Sequence, residues 1–352
     1  MKKHISSLLI LLIISVISFA QVVAPGNQQP GNTPPANRPQ MGRRPNQNGI
    51  VNLDSLRWRD MCIVADPTTK TYYIVGPGGR GVKFYSSKDL INWEGPRMIY
   101  NAPQDVWGSI PIVSIWAPEM HMYKGKYYLF LTFDTRNKLC EQWPDWYPSG
   151  RVTRGSQTFV SDSPTGPFTA FLNHSTMPVD MMTLDATLWV EDGIPYMVYS
   201  HEWVQVVNGA IGYVQLKDDL SEIVGVPKNL FRASQAPWSK ISDQWGCNVT
   251  DGPYLHKGKT GKLYMIWTSS GYTGYTQGIA ISESGKLGGP WKQQAEPLYK
   301  DDGGHGMLFT TFEGKLMMIL HSPNNGNSRP LIFEMEDTGE TLRIVKEFTG
   351  HN

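Results

Sequence analysis

Three aspartates stand at the heads of short apolar runs in this 352-residue chain: Asp60 before MCIVAD, Asp185 in LDATLWVEDG and Asp251 before GPYL. A single Asp ahead of a strand commonly does no more than close a turn. Three at corresponding places of repeated units have a different meaning, because units arranged in a ring bring the heads of their first strands to one end of a central channel. Convergent carboxylates repel, which raises the proton affinity of at least one, so one group can work as acid while another works as base. Two carboxyl groups flanking a glycosidic bond is the arrangement that sugar hydrolysis requires. A fourth acid, Glu202 in SHEW, follows the PYMVYS run of the Asp185 unit in a segment too polar to read as core.

Flat apolar faces are the other requirement for holding a sugar. Trp116, Trp203, Trp245 and Tyr272 fall beside the expected channel mouth or in the loops after it. There a ring can stack on a sugar while polar neighbours take the hydroxyls. Glu119 and His201 stand close to these positions and join them as candidate contacts. Trp93 and Trp291, at the ends of their units' third strands, are expected to pack between units.

The elements that must position these residues follow from one stretch, Val249 to Trp291. An acid, an apolar run, a Gly/Lys turn, LYMIW, a Gly-rich turn and QGIAIS read as three strands, with a fourth expected around Gln293 to Tyr299. The order recurs from Asp60, Trp116, Asp185, Asp251 and His305, about fifty to seventy residues apart. Five such units, each too small to bury both faces alone, predict an all-β fold, a five-bladed β-propeller with four antiparallel strands per blade. His321 and His121, on neighbouring strands, read as packing or rim residues. An insertion from Arg136 to Arg154 is expected to shape one pocket wall.

Composition agrees with turn-rich β structure: 35 Gly, 25 Pro and 12 Trp, with only 18% charged residues. The net charge of +1 and the lack of a basic stripe argue against a nucleic-acid partner. Residues 1–20, MKKHISSLLILLIISVISFA, read as a secretory signal cut after Ala20. The mature chain is therefore expected to be secreted or periplasmic, with no membrane partner. Residues 21–50, rich in Pro, Gly, Asn and Gln, read as a disordered tether, and 51–352 as the propeller. Cys62 reads as a core residue; Cys140 and Cys247 lie in loops and are able to pair. No CxxC, HExxH or phosphate-binding Gly loop is present in the sequence.

Taken together, Arg59-Asp60, WAPE at Trp116 to Glu119 followed by KGKYYLF, the Asp185 run, DGPYL with Asp251 and the SxSxxGPW ending at Trp291 resemble glycoside hydrolase family 43. The resemblance runs from about Trp58 to Phe348. It implies a five-bladed propeller that inverts the anomeric centre of arabinose- or xylose-containing plant polysaccharides, with some members acting on galactose linkages. By position Asp60 looks like the general base and Asp185 like the carboxylate that orients and tunes the proton donor.

Two residues depart from the family pattern. Met61 stands where Pro is usual, and Asp251 stands where the donor Glu of a Glu-Gly-Pro sequence is usual. Asp is shorter by one methylene, about 1.5 Å. Glu202 is accordingly the first choice of donor, with Asp251 orienting the site or binding sugar; Asp251 itself is the second choice and Glu119 in WAPE the third. The resemblance also implies that His305 is near the channel, where some members hold calcium; none is required for the chemistry. The expectation is a secreted exo-acting α-L-arabinofuranosidase on an oligo- or polysaccharide. The alternatives are β-xylosidase or galactosidase specificity, or a glycan-binding propeller without hydrolysis.

Overall fold

The second strand of each blade explains the architecture. Leu263–Gly271 (LYMIWTSSG) and Lys126–Thr135 (KYYLFLTFDT) are buried along nearly their whole length instead of on alternate residues. A strand apolar on both faces must be covered on both, and in a ring the two neighbouring blades do this. The outer strands show the converse: Asn92–Asn101 and Ile223–Arg232 are largely exposed. Tight turns join the strands. Lys124-Gly125 and Asp192-Gly193 both have positive φ at both positions and close two-residue hairpins between Tyr123 and Lys126 and between Glu191 and Ile194, as the right-handed strand twist favours.

A computed structural model of the chain describes residues 49–145, 147 and 149–349. The chain divides after Met41 into two units, of which only the second contains described residues. The expected signal at 1–20 and nearly all of the expected tether at 21–50 lie outside them. The described part forms five antiparallel sheets, each from one contiguous stretch of chain. Four have four strands. The first has a fifth, because Ile50–Asn52 pairs with Asn92–Glu94 at its outer edge. The propeller therefore begins at Ile50.

The innermost strands, Cys62–Asp66, Ile112–Tyr123, Thr183–Glu191, Asp251–Lys257 and Gly304–Thr310, touch one another in a closed round. Among the described residues no strand is exchanged to close it. The first and last blades meet through an apolar cluster that includes Ile63, Tyr72, Met307, Phe309 and Ile319. Two bonds reinforce the meeting, Trp58 N–H to Ser328 O at 3.0 Å and Phe312 N–H to the Tyr72 hydroxyl at 3.0 Å.

Trp93 is fully buried and Trp291 packs on Phe231, in line with their assignment to packing. The fourth strand of the Asp251 blade is Trp291–Gln293, earlier and shorter than the Gln293–Tyr299 expected. Among the described residues no helix is long and apolar enough to cross a membrane.

Candidate active site

All five blades open with the same irregularity. Asp60, Ala117, Asp185, Gly252 and His305 have φ between 37 and 54°. In the last four blades the strand register shifts at that point. A left-handed φ outside glycine costs about 1–3 kcal/mol and persists only where the surroundings enforce it. The enforcement is visible in the second strands. Thr132, Ser200, Thr268 and His321 each pair with the residue preceding the left-handed one in their blade. Three of these side chains accept the left-handed residue's N–H in the next blade: Thr132 from Asp185 at 2.9 Å, Thr268 from His305 at 2.9 Å and His321 Nδ1 from Asp60 at 3.3 Å. One repeated stitch thus fixes the heads of three blades, those of Asp60, Asp185 and His305, against their neighbours.

Four of these five residues, Asp60, Ala117, Asp185 and His305, line a cavity of about 640 Å³ at the channel mouth, within the usual size range for a ligand site. Asp251 lines it too, but from one residue earlier in its blade. The left-handed position there belongs to Gly252, where an added Cβ would lie 3.1 Å from the His305 ring. Asp251 is therefore not equivalent to Asp60 and Asp185, contrary to the expected equal phase of the three.

The carboxylates differ in charge. Burial works to raise Asp60, but His305, His321 and Arg59 outweigh it and hold the group below its ordinary value. Arg59 Nε donates to Asp60 Oδ2 at 2.8 Å, and His321 Nδ1 and His305 Nδ1 lie 3.3 and 3.6 Å from Oδ1. Asp251 is pushed the other way, up to about 7, by burial and by the charge of Asp60, against a 2.7 Å hydrogen bond donated by the Tyr275 hydroxyl. Asp185 is raised by burial and by the neighbouring Asp251, while its Oδ2 accepts the Gly252 N–H at 3.0 Å. Burial pushes His305 down to about 4, so it is neutral near pH 7. Near pH 7 the cavity therefore holds one carboxylate that is ionised, Asp60, and one, Asp251, that is protonated in part.

Glu202 is elsewhere. It is 1% exposed, precedes the short helix Trp203–Val206 and does not line the cavity. Its Oε1 is paired with Arg154 Nη1, and the same guanidinium holds Asp134 at 2.6 Å. Burial raises Glu202 while Arg154 opposes. Arg154 in turn lies 4.3 Å above the Trp116 ring. The acid that read as a rim residue is thus the buried half of an ion pair behind the cavity wall.

Trp116, Trp203 and Trp245 do line the cavity. Tyr272, at 77% exposure, does not; nor do His201, bonded to Gln205 at 2.9 Å, and Glu119, bonded to His121 at 2.9 Å. The described residues of the 136–154 insertion also stay out of the lining. Trp143 donates to Val204 O at 2.6 Å and Arg151 stacks on Trp143 at 3.8 Å, so the insertion buttresses the helix carrying Trp203. Cys140 and Cys247 are both free, one exposed and one buried, and Cys62 is buried. Sequence reading missed Tyr275 and took His321 for a packing residue. His321 was detectable as a histidine standing where other second strands carry Thr or Ser.

Calcium takes six to eight oxygen ligands, whereas His305 offers nitrogen. Among the described residues no group of three or more His, Cys, Asp or Glu could hold a metal ion. These residues do not form a fitting calcium site.

A five-bladed propeller whose mouth holds, between tryptophans, carboxyls with proton affinities shifted in opposite directions is equipped for acid–base chemistry on a sugar. The chain belongs to glycosyl hydrolases family 43, whose model matches residues 52–344. It is 37% identical to a solved endo-arabinase from Bacteroides thetaiotaomicron VPI-5482, with a TM-score of 0.72 over 81% of this chain and 96% of that one. A β-xylosidase from Bacillus subtilis (strain 168) is 24% identical over 60% of this chain and 36% of its own length. An extracellular exo-α-(1→5)-L-arabinofuranosidase from Streptomyces avermitilis is 22% identical over 60% of this chain and 43% of its own. The chain thus matches about two fifths of the length of these two relatives.

Proposed function

We propose that this chain is an exported, inverting hydrolase of α-L-arabinofuranosyl linkages in plant-type polysaccharide, with Asp60 as general base and Asp251 as proton donor. The observation that carries the reading is that these two carboxyls line one cavity with proton affinities shifted in opposite directions, the base held low and the donor raised to about 7. Asp60 takes a proton from water as it attacks the anomeric carbon, and the protonated acid supplies one to the leaving oxygen on the other face. Asp185 orients the donor, its Oδ2 accepting the N–H of the adjacent Gly252 at 3.0 Å. Glu202 is set aside as donor because a guanidinium occupies it and it does not reach the cavity.

The named activities of the Bacteroides and Streptomyces relatives support the arabinose linkage. The leader-like residues 1–20 and the extracellular relative support export. The test is hydrolysis of linear α-1,5-arabinan followed by proton NMR. The reading expects arabinose or arabino-oligosaccharides whose newly formed ends appear first as the β-anomer, and product sizes separate attack at chain ends from attack inside. First appearance of the α-anomer, or an Asp60→Asn variant keeping more than about a tenth of wild-type turnover, overturns the mechanism. Cleavage of xylo-oligosaccharides alone moves the specificity to β-xylosidase. Ligand bound intact from every glycan tried leaves a binding propeller.

A further inference from the structure

An aspartate places its carboxyl about 1.5 Å nearer its own backbone than a glutamate does. The Oδ2 of Asp251 does not end in open cavity: Tyr275 Oη is 2.7 Å away. Tyr275 itself lines the cavity. Its ring is held in place by stacking on His321 at 5.6 Å and 20°, and its backbone N–H by a 3.1 Å bond to Asp302 Oδ1. A phenol reaches much farther from its backbone than an aspartyl carboxyl.

We propose, on the reading that Asp251 is the acid, that Tyr275 is a further catalytic residue, relaying the proton from Asp251 to the leaving glycosidic oxygen. With Asp251 protonated, the 2.7 Å bond reverses its polarity: the carboxyl donates to Tyr275 Oη and the phenol O–H is freed for the cavity. As the anomeric C–O bond breaks, the leaving oxygen takes the phenol proton and Oη takes the proton of Asp251. Tyr275 ends neutral, as it began, and Asp251 ends as carboxylate. On the opposite face water forms the new C–O bond and gives its proton to Asp60. Solvent then reprotonates Asp251 and deprotonates Asp60. Burial and the carboxylates Asp251, Asp60 and Asp185 hold the phenol far above its ordinary value, so it does not rest as phenolate in this cycle.

The test compares two substrates. 4-Nitrophenyl α-L-arabinofuranoside has a leaving group that departs with little protonation, whereas an α-1,5-arabino-oligosaccharide needs the proton. Tyr275→Phe is expected to lower kcat about a hundredfold on the oligosaccharide and less than tenfold on the aryl glycoside. It is also expected to move the alkaline limb of the rate profile to higher pH, since the phenol's bond lowers Asp251. Asp251→Glu is the second arm: the longer acid reaches directly, so adding Tyr275→Phe to it costs less than about threefold on either substrate. Equal slowing of both substrates by Tyr275→Phe, or an undiminished cost in the Glu background, overturns the relay and leaves the donor standing. An Asp251→Asn variant that still cleaves the oligosaccharide overturns the donor reading and the relay together.

Discussion

Asp251, half-buried at the cavity, and Glu202, fully buried, are both acids with raised proton affinity, and they lie close enough for Glu202 to raise Asp251 further. Their surroundings separate them. Asp251 faces a cavity, takes a hydrogen bond from a phenol and has Asp60 as a charged neighbour. Glu202 faces a guanidinium and no cavity. Burial alone raises a carboxyl; it makes an acid catalyst only where substrate can reach it and no fixed cation compensates its charge. The pair around Arg154 serves another end. It seats a cation under Trp116 and anchors the residue that precedes Trp203, so two cavity walls depend on one ion pair.

Breaking the Arg154 side gives the largest effect. Arg154→Met leaves Glu202 buried without its cation and is expected to lose about 3–5 kcal/mol of stability by denaturant unfolding. The folded remainder should show a raised KM as Trp116 loses its support. Exchanging the two acids sharpens the contrast further. Asp251→Asn should lose about a hundredfold or more in kcat on an arabino-oligosaccharide. Glu202→Gln should keep the alkaline limb, moved slightly to lower pH as a nearby negative charge is lost, and show its main cost as about 1–3 kcal/mol of stability. If Glu202→Gln instead removes the alkaline limb, the comparison is inverted.

The smallest effect is on stability against pH. Asp251 rises from about 3.8 unfolded to about 7 folded. The folded state therefore binds the extra proton, and its stabilising contribution is complete below about pH 4 and lost as pH climbs through 7. Asp251→Asn should melt about 2 °C or more above wild type at pH 8 and level with it at pH 4.

What the sequence shows of this molecule is what repeats. Asp60, Asp185 and His305 stand at the heads of recurrent units, and that phase alone leads to the cavity. Tyr275 hides because strands covered on both faces lose alternation, so a functional Tyr in GYTQGIAIS looks like core. Glu202 misleads for a related reason. Polar SHEW reads as surface, and its burial depends on Arg154, 48 residues earlier and paired with it only in the fold. The Asp251 offset is a matter of one residue. It is set by where the left-handed turn falls, and Gly252 takes that place because His305 stands against it.

The ring closes by packing between its first and last blades, with no shared strand, and the proposed base sits on that seam. Asp60 belongs to the first blade, while His305 and His321, whose Nδ1 atoms stand 3.6 and 3.3 Å from its carboxylate, belong to the last. A small parting of the two ends would take both histidines from the base, leaving it Arg59 alone, while all five sheets stayed intact. Turnover in this enzyme should therefore report on ring integrity, fading during gentle heating before circular dichroism registers any loss of β structure.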